Sequence, residues 1–298
     1  MLRLLHFSDV HLPSSLRRLS IGDLAGKRLL GAANVVVRRR RRFRDAREKL
    51  AALARFAADL PVDAVLCTGD YTELGTEEEV RDARAAVEPL LHAPLGFITM
   101  PGNHDLYVPD TVRTRRFERH FGDLLRTDLP EHAIDGPWPS VRLLGDDLAV
   151  VAVRSARPNP EPWRSSGVIV QAELDALARI LADARVRARF VVVATHYALR
   201  KRDGRRDTPL HGIENVDALE SVCRVIERGA IAHGHIHWRY HLRLPGLRAH
   251  VLGAGSATDR GREGLWLYEI APDRARAVPG FWQGDRFALD PAGAIELG

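Results

Sequence analysis

Five short polar blocks in this chain carry side chains suited to holding metal cations. They are Asp9-Val10-His11, Gly69-Asp70, Gly102-Asn103-His104-Asp105, Thr195-His196 and His233-Gly234-His235-Ile236-His237. Their donors are carboxylate oxygen, amide oxygen and imidazole nitrogen, with no thiolate. That mixture suits manganese, iron or zinc better than a structural zinc held by cysteines. Asp9 and His11 are two residues apart, as are His235 and His237. In extended backbone each pair would point to one side. Glycines at 69, 102 and 234 permit a sharp turn or a close backbone approach at their blocks.

The elements that must position these blocks are short apolar runs alternating with helical stretches. Strands are expected over Leu2–Phe7, 63–68, 96–100, 141–144, 148–154, 190–195, 230–233, 249–252 and Leu265–Ile270, from β-branched and apolar content bounded by turn residues. Helices are expected over 44–59, 77–91, 111–121, 171–184 and 215–227. The first has Leu50, Leu53, Ala54 and Ala57 at helical spacing. The second follows Thr76, a candidate N-cap, with acids in its first turn. Strands alternating with helices argue for a layered α/β fold. Every polar block falls at or just beyond a strand end, where functional groups of open α/β sheets collect.

Taken in this order, the five blocks resemble the calcineurin-like metallophosphoesterase superfamily, in its bacterial phosphodiesterase type. That pattern is Asp-x-His, Gly-Asp, Gly-Asn-His-Asp/Glu, a lone His and Gly-His-x-His, and the likeness runs from residue 8 to 237. The resemblance implies a four-layer α/β/β/α sandwich of two mixed β-sheets flanked by helices. It implies two divalent metal ions: Asp9, His11 and His237 on one, Asn103, His196 and His235 on the other, and Asp70 bridging both. It implies that His104 lies by the phosphate and stabilises or protonates the leaving oxygen, with Asp105 orienting the His104 ring through its other nitrogen. The reaction implied is hydrolysis of a phosphodiester or pyrophosphate bond by a metal-bridging hydroxide. The Gly-Asn-His-Asp block is similar to that of cyclic-nucleotide and general phosphodiesterases. Nucleotide-lipid pyrophosphatases share the blocks, and a non-catalytic metal-binding scaffold is the rival from another class. Substrate contacts are expected from Asn103, Tyr107, Arg202, Arg205 and His211.

Composition bounds the rest. The 298 residues are 45% hydrophobic and 28% charged, enough for a sizeable core and unlike a disordered chain. They are expected to form a single domain with a basic amphipathic insertion at about 16–42. No apolar run approaches the roughly 20 residues of a membrane span. Met1 to His6 lacks the layout of a secretory signal. Two distant cysteines, Cys67 and Cys223, argue against a disulfide framework and for a reducing cytoplasm.

The net charge of +5 favours anionic partners. Leu29, Leu30, Ala33, Val36 and Val37 share one helical face ahead of Arg38, Arg39, Arg40, Arg41 and Arg42. The expectation is peripheral contact with an anionic membrane and a phosphorylated small-molecule or lipid-linked substrate. No recognised nucleic-acid module accompanies the arginines. His233 is expected to be structural, and His6, His92, His120, His132, His241 and His250 have no motif context. The loop from Arg200 to Arg206 is expected to overhang the metals and attract anions.

Overall fold

The computed structural model describes residues 1–13, 27–34, 40–159, 161 and 163–298, without the side chains of 30, 32–34 and 40. In chain order the strands are β1 (Leu2–Phe7), β2 (Ala64–Cys67), β3 (Phe97–Thr99), β4 (Ser140–Leu144), β5 (Leu148–Ala152), β6 (Phe190–Ala194) and β7 (Gly229–His233). After them come β8 (Arg239–Leu242), β9 (His250–Ala254), β10 (Leu265–Ile270), β11 (Ala275–Trp282), β12 (Phe287–Leu289) and β13 (Ile295–Glu296). The helices are α1 (Lys27–Asn34), α2 (Arg40–Arg42), α3 (Ala46–Asp59), α4 (Glu77–Val87), α5 (Pro109–Arg113), α6 (Arg116–Phe121), α7 (Gln171–Ala182), α8 (Ala184–Arg187) and α9 (Val216–Cys223).

The first sheet has the order β12-β11-β10-β1-β2-β3, with β13 also on β11. Its strands β1, β2 and β3 are parallel, while β10 pairs antiparallel with β1 and β11 antiparallel with β10. The second sheet has the order β4-β5-β6-β7-β9-β8, parallel from β5 to β9 and antiparallel at both edges. Both sheets are therefore mixed, as expected. All the parallel strands of a sheet end at one edge, and that edge carries the polar blocks.

Side-chain period explains the layers. Strand β6 reads Phe-Val-Val-Val-Ala and is buried along its whole length, as expected for a strand covered on both faces. Val192 and Ala194 join Val150, Ala152, Ala230 and Ala232 in the core between the sheets. Val191 and Val193 point the other way and pack with Val151, Ile231 and residues of α7 and α9. On the far side, Leu50 and Leu53 of α3 and Val80, Ala83 and Val87 of α4 cover the first sheet. Burying each valine is worth roughly 1.5–3 kcal/mol, before the entropy of ordering it.

Helix ends depart from the sequence expectation for local reasons. Thr76 does cap α4, in a capping box with Glu79. The helix stops at Val87 and continues as one 3-10 turn containing Pro89, short of residue 91. The stretch 111–121 divides into α5 and α6 at Arg115, whose φ is 48°. The stretch 171–184 ends at Ala182, and Asp183 caps α8 by accepting from the Arg185 N–H. The last stretch shortens to Val216–Cys223.

Candidate metal centre

The loops leaving β1 and β2 run side by side. The N–H of Asp9 donates to the Gly69 carbonyl at 3.0 Å, and that of His11 to the Asp70 carbonyl at 2.9 Å. This pairing overturns the expectation of extended backbone at the Asp-x-His and His-x-His blocks. Asp9, His11, Asp70, His235 and His237 have φ of 54°, 41°, 61°, 68° and 60°. Among the described residues the only other non-glycine with positive φ is Arg115. Each such residue costs on the order of 1–3 kcal/mol and persists only where its surroundings fix it. Backbone strain thus concentrates on five of the seven expected ligands.

Two motif glycines are required by close approach. A Cβ on Gly102 would lie 2.2 Å from Asp70 Oδ1. One on Gly234 would lie 1.9 Å from Ser8 Oγ and 2.5 Å from Asp9 Oδ2. The ends of the two sheets meet here: the His235 N–H donates to Asp9 Oδ2 at 3.0 Å, and the Ala257 N–H to the Ser8 carbonyl at 2.8 Å.

The seven expected ligands form two nests sharing one carboxylate. In the first, His237 Nε2 is 3.3 Å from Asp9 Oδ1 and 3.2 Å from His11 Nε2. In the second, Asn103 Oδ1 is 3.0 Å from both His196 Nε2 and His235 Nδ1. Asp70 Oδ2 lies between them, 3.5 Å from His11 Nε2 and 3.4 Å from His196 Nε2.

The opposite ring nitrogens fix the tautomers. His11 Nδ1 meets the Thr72 carbonyl at 3.0 Å, His196 Nδ1 the Thr68 carbonyl at 2.7 Å, and His237 Nδ1 the Asp259 carboxylate at 2.9 Å. Each of those nitrogens must donate, so in a neutral ring Nε2 carries a lone pair. His11 Nε2 and His237 Nε2 then face one another with two lone pairs, and His196 Nε2 faces an amide oxygen. Acceptors at such distances need positive charge between them. The donor set and its arrangement therefore fit a pair of divalent cations.

The electrostatics agree. Burial opposes charge on His196, but the neighbouring Asp70 carboxylate outweighs it and raises the ring to about 9. Burial likewise opposes charge on His237, and Asp9 and Asp259 raise it nonetheless. Burial would push Asp70 up, yet His196 and the other imidazoles hold it well below the usual carboxylate range. His235 is lowered to about 3 by burial and by His196. Without a cation, protons are drawn into the nests to do its work.

Asp105 does not play the expected part. The ring nitrogen Nδ1 of His104 meets the Glu73 carbonyl at 2.6 Å instead. Asp105 accepts from the N–H groups of Asp70, Gly102, Tyr71 and Thr72 and from the Thr72 hydroxyl, at 2.9–3.1 Å. Its carboxylate shapes the Asp70 loop. His104 is placed by its own N–H on Asp70 Oδ1 at 2.8 Å. A ligand nitrogen of its ring lies within 4.8 Å of ligand atoms of His11 and Asp70.

A cavity of about 440 Å³ opens over the nests. Asn103, Tyr107 and His211, three of the five residues expected to touch substrate, line it. Arg202 and Arg205 do not. Arg202 stacks on Trp238 at 4.7 Å, and its neighbours Arg200 and Arg206 pair with Glu220 and Asp217. Arg200, Arg202 and Arg206 are thus held within the protein, away from the cavity wall.

The cations at the wall are Lys27, Arg42, Arg157, Arg164 and Arg262. Lys27 and Arg42 belong to the basic insertion, and no motif marked Arg157, Arg164 or Arg262. Asp259, which holds both His237 and Arg42, was also missed. The signal that would have found it is its place just beyond a strand end, after β9.

The basic segment contributes to this wall. Arg28 is buried and donates to the Leu74 and Gly75 carbonyls, while Leu29 is 57% exposed. Arg38, Arg39, Val36 and Val37 lie outside the described residues, as do the side chains of Leu30, Ala33 and Arg40. His233 is buried beneath the site with Nδ1 on the Gly234 carbonyl, and burial lowers it to about 4. Cys67, in β2 of the first sheet, and Cys223, in α9, are buried in different clusters. No helix among the described residues is long and apolar enough to cross a membrane.

Comparison with known proteins follows the same lines. The family model for calcineurin-like phosphoesterases matches residues 2–239. A dimetal phosphatase from Danio rerio superposes with a TM-score of 0.65 at 13% identity, covering 100% of this chain and 99% of that one. A purple acid phosphatase from seeds of yellow lupin (Lupinus luteus) gives 0.59 at 10% identity, covering 97% of this chain and 52% of that one. At such identities these two show the fold alone. No curated protein matches the chain.

Proposed function

The chain belongs to the calcineurin-like phosphoesterase family, and from that premise we propose that it is a dinuclear-metal-dependent hydrolase of a phosphodiester or pyrophosphate bond. The observation that carries the proposal is the pair of nests, in which lone-pair nitrogens and oxygens converge at 3.0–3.5 Å about the shared Asp70. Asp9, His11 and His237 would hold one cation, Asn103, His196 and His235 the other, and Asp70 both. Manganese, iron and zinc suit these donors. When bound, the two cations would lower the pKa of a water towards neutrality and offset the charge of the phosphate under attack.

The chain's own groups supply the rest. Anchoring of Nδ1 to backbone carbonyls or a carboxylate holds the His11, His196 and His237 rings in register. His104 Nδ1 donates to the Glu73 carbonyl, so a second proton on that ring sits on Nε2 and can pass to the departing oxygen. The cavity continues past both nests. Arg42 and Arg262 lie on the side of Asp259, and Arg157, Arg164 and Ser165 on the side of His211. Space and cations on two sides support a phosphate with two substituents over a monoester.

The test uses protein stripped with chelator and reconstituted with manganese. Activity on bis-p-nitrophenyl phosphate that returns with metal and exceeds that on p-nitrophenyl phosphate supports the proposal. Two bound metals with no hydrolysis of either ester, of cyclic nucleotides or of nucleotide-lipid pyrophosphates would favour the scaffold. The exposed Leu29 and the sequence run Arg38 to Arg42 support a peripheral membrane contact, which flotation with anionic liposomes at low salt would reveal or refute.

A further inference from the structure

We propose that Lys27 reads a negative charge on the leaving group, so that the substrate is a phosphoester whose leaving group is itself anionic, as in a pyrophosphate linkage. This rests on the hydrolase assignment above and assigns a role to the described part of the basic segment.

An ammonium has three N–H donors and no acceptor. Lys27 Nζ donates to the carbonyls of Asn159 at 2.8 Å and Arg164 at 3.3 Å. The third donor has no hydrogen-bond partner among the described residues, and Lys27 lines the cavity. Its Nζ lies 4.9 Å over the ring of Tyr107, which stacks on His104 at 5.6 Å. Lys27, the Tyr107 ring and the His104 imidazole therefore follow one another by contact along the cavity lining.

That line is built in. Arg28 ties α1 to two backbone carbonyls. A Cβ on Gly31 would lie 2.5 Å from the Tyr107 hydroxyl, so only glycine lets α1 rest against that ring. Next to Lys27, Arg157 and Arg164 share one oxygen of Glu214, and Glu161 acts on Lys27 itself, so three cations face two carboxylates and the balance on this side stays positive. A neutral leaving group gives the third Lys27 donor nothing to bind. In a pyrophosphate, water adds to one phosphorus and the bridging P–O bond breaks. The second phosphate departs with the electron pair, and its oxygens are acceptors for Lys27.

The experiment compares manganese-loaded wild type, Lys27→Met and Lys27→Arg. Substrates are bis-p-nitrophenyl phosphate and a nucleoside diphosphate sugar. The expected result is that Lys27→Met lowers the ratio of kcat/KM, sugar nucleotide over diester, at least tenfold, and that Lys27→Arg restores most of it. Equal losses on both substrates, or an unchanged ratio, would overturn the proposal.

A second arm needs no turnover. Calorimetry with methylenediphosphonate and methylphosphonate should show at least fivefold selective weakening of the diphosphonate in Lys27→Met, and equal effects on both ligands would also overturn it. If the wild type hydrolyses neither substrate, the hydrolase assignment fails, while the calorimetric arm still decides the subsite.

Discussion

The two nests differ in what stands behind them. The first has a carboxylate of its own, Asp9, and a second carboxylate, Asp259, on the outer nitrogen of His237. Arg42 balances that second charge. In the other nest the corresponding oxygen is the neutral amide of Asn103, and the outer nitrogens of His196 and His235 meet the backbone carbonyls of Thr68 and His211. A dication would therefore be held more strongly in the first nest and exchange more readily from the second. The lesson is that similar ligand counts do not make equal sites when the outer contacts differ in charge.

The shared carboxylate gives the strongest test. Asp70→Ala should strip both metals and reduce activity by more than the roughly 10–100-fold that loss of an outer contact costs. Metal analysis showing one cation retained at full affinity would break the picture of a bridging Asp70.

His104→Ala should keep both metals yet slow esters with poor leaving groups by roughly 10²–10⁴-fold. A uniform slowing across leaving groups, read from initial rates, would remove its acid role.

Asp259→Asn should weaken the first metal by roughly 10–100-fold and spare the second. Stepwise chelator titration separates the two. Equal weakening of both would erase the asymmetry.

The smallest effect is a proton count. In metal-free protein His196 is raised to about 9, so at pH 7.5 its ring is protonated. A metal must displace that proton, so affinity should rise as pH approaches 9 and then level off. A weakly buffered titration should record proton release on loading, and none would contradict protonated nests.

The layered fold and the ligand types were legible in the sequence because both follow from local pattern. Valine runs such as 190–194 announce a strand covered on two faces, and the polar blocks follow strand ends. What escaped depends on contacts distant in sequence. The left-handed backbone at Asp9 and His11 is imposed by carbonyls some sixty residues away, at Gly69 and Asp70. Asp105 sits in the right motif, yet the N–H groups of another loop claim its oxygens. Strands β8, β11, β12 and β13 were not anticipated: β8 is half-buried and polar, and the others lie towards the far edge of the first sheet, where periodicity is weakest. Lys27 stood out only as part of the basic insertion, because nothing in its neighbours announces Tyr107 or the carbonyls of Asn159 and Arg164.

The meeting of His11 with His237 spans 226 positions of sequence, and this bears on how the protein assembles. Contacts of such separation form late, because the loop between them must first be ordered. Neither sheet alone owns a complete nest, since each draws ligands from the ends of both. A cation can be gripped fully only after the two sheets have docked. Metal capture should therefore trail the growth of secondary structure in refolding, and once made it should fasten together the ends of β1 and β7.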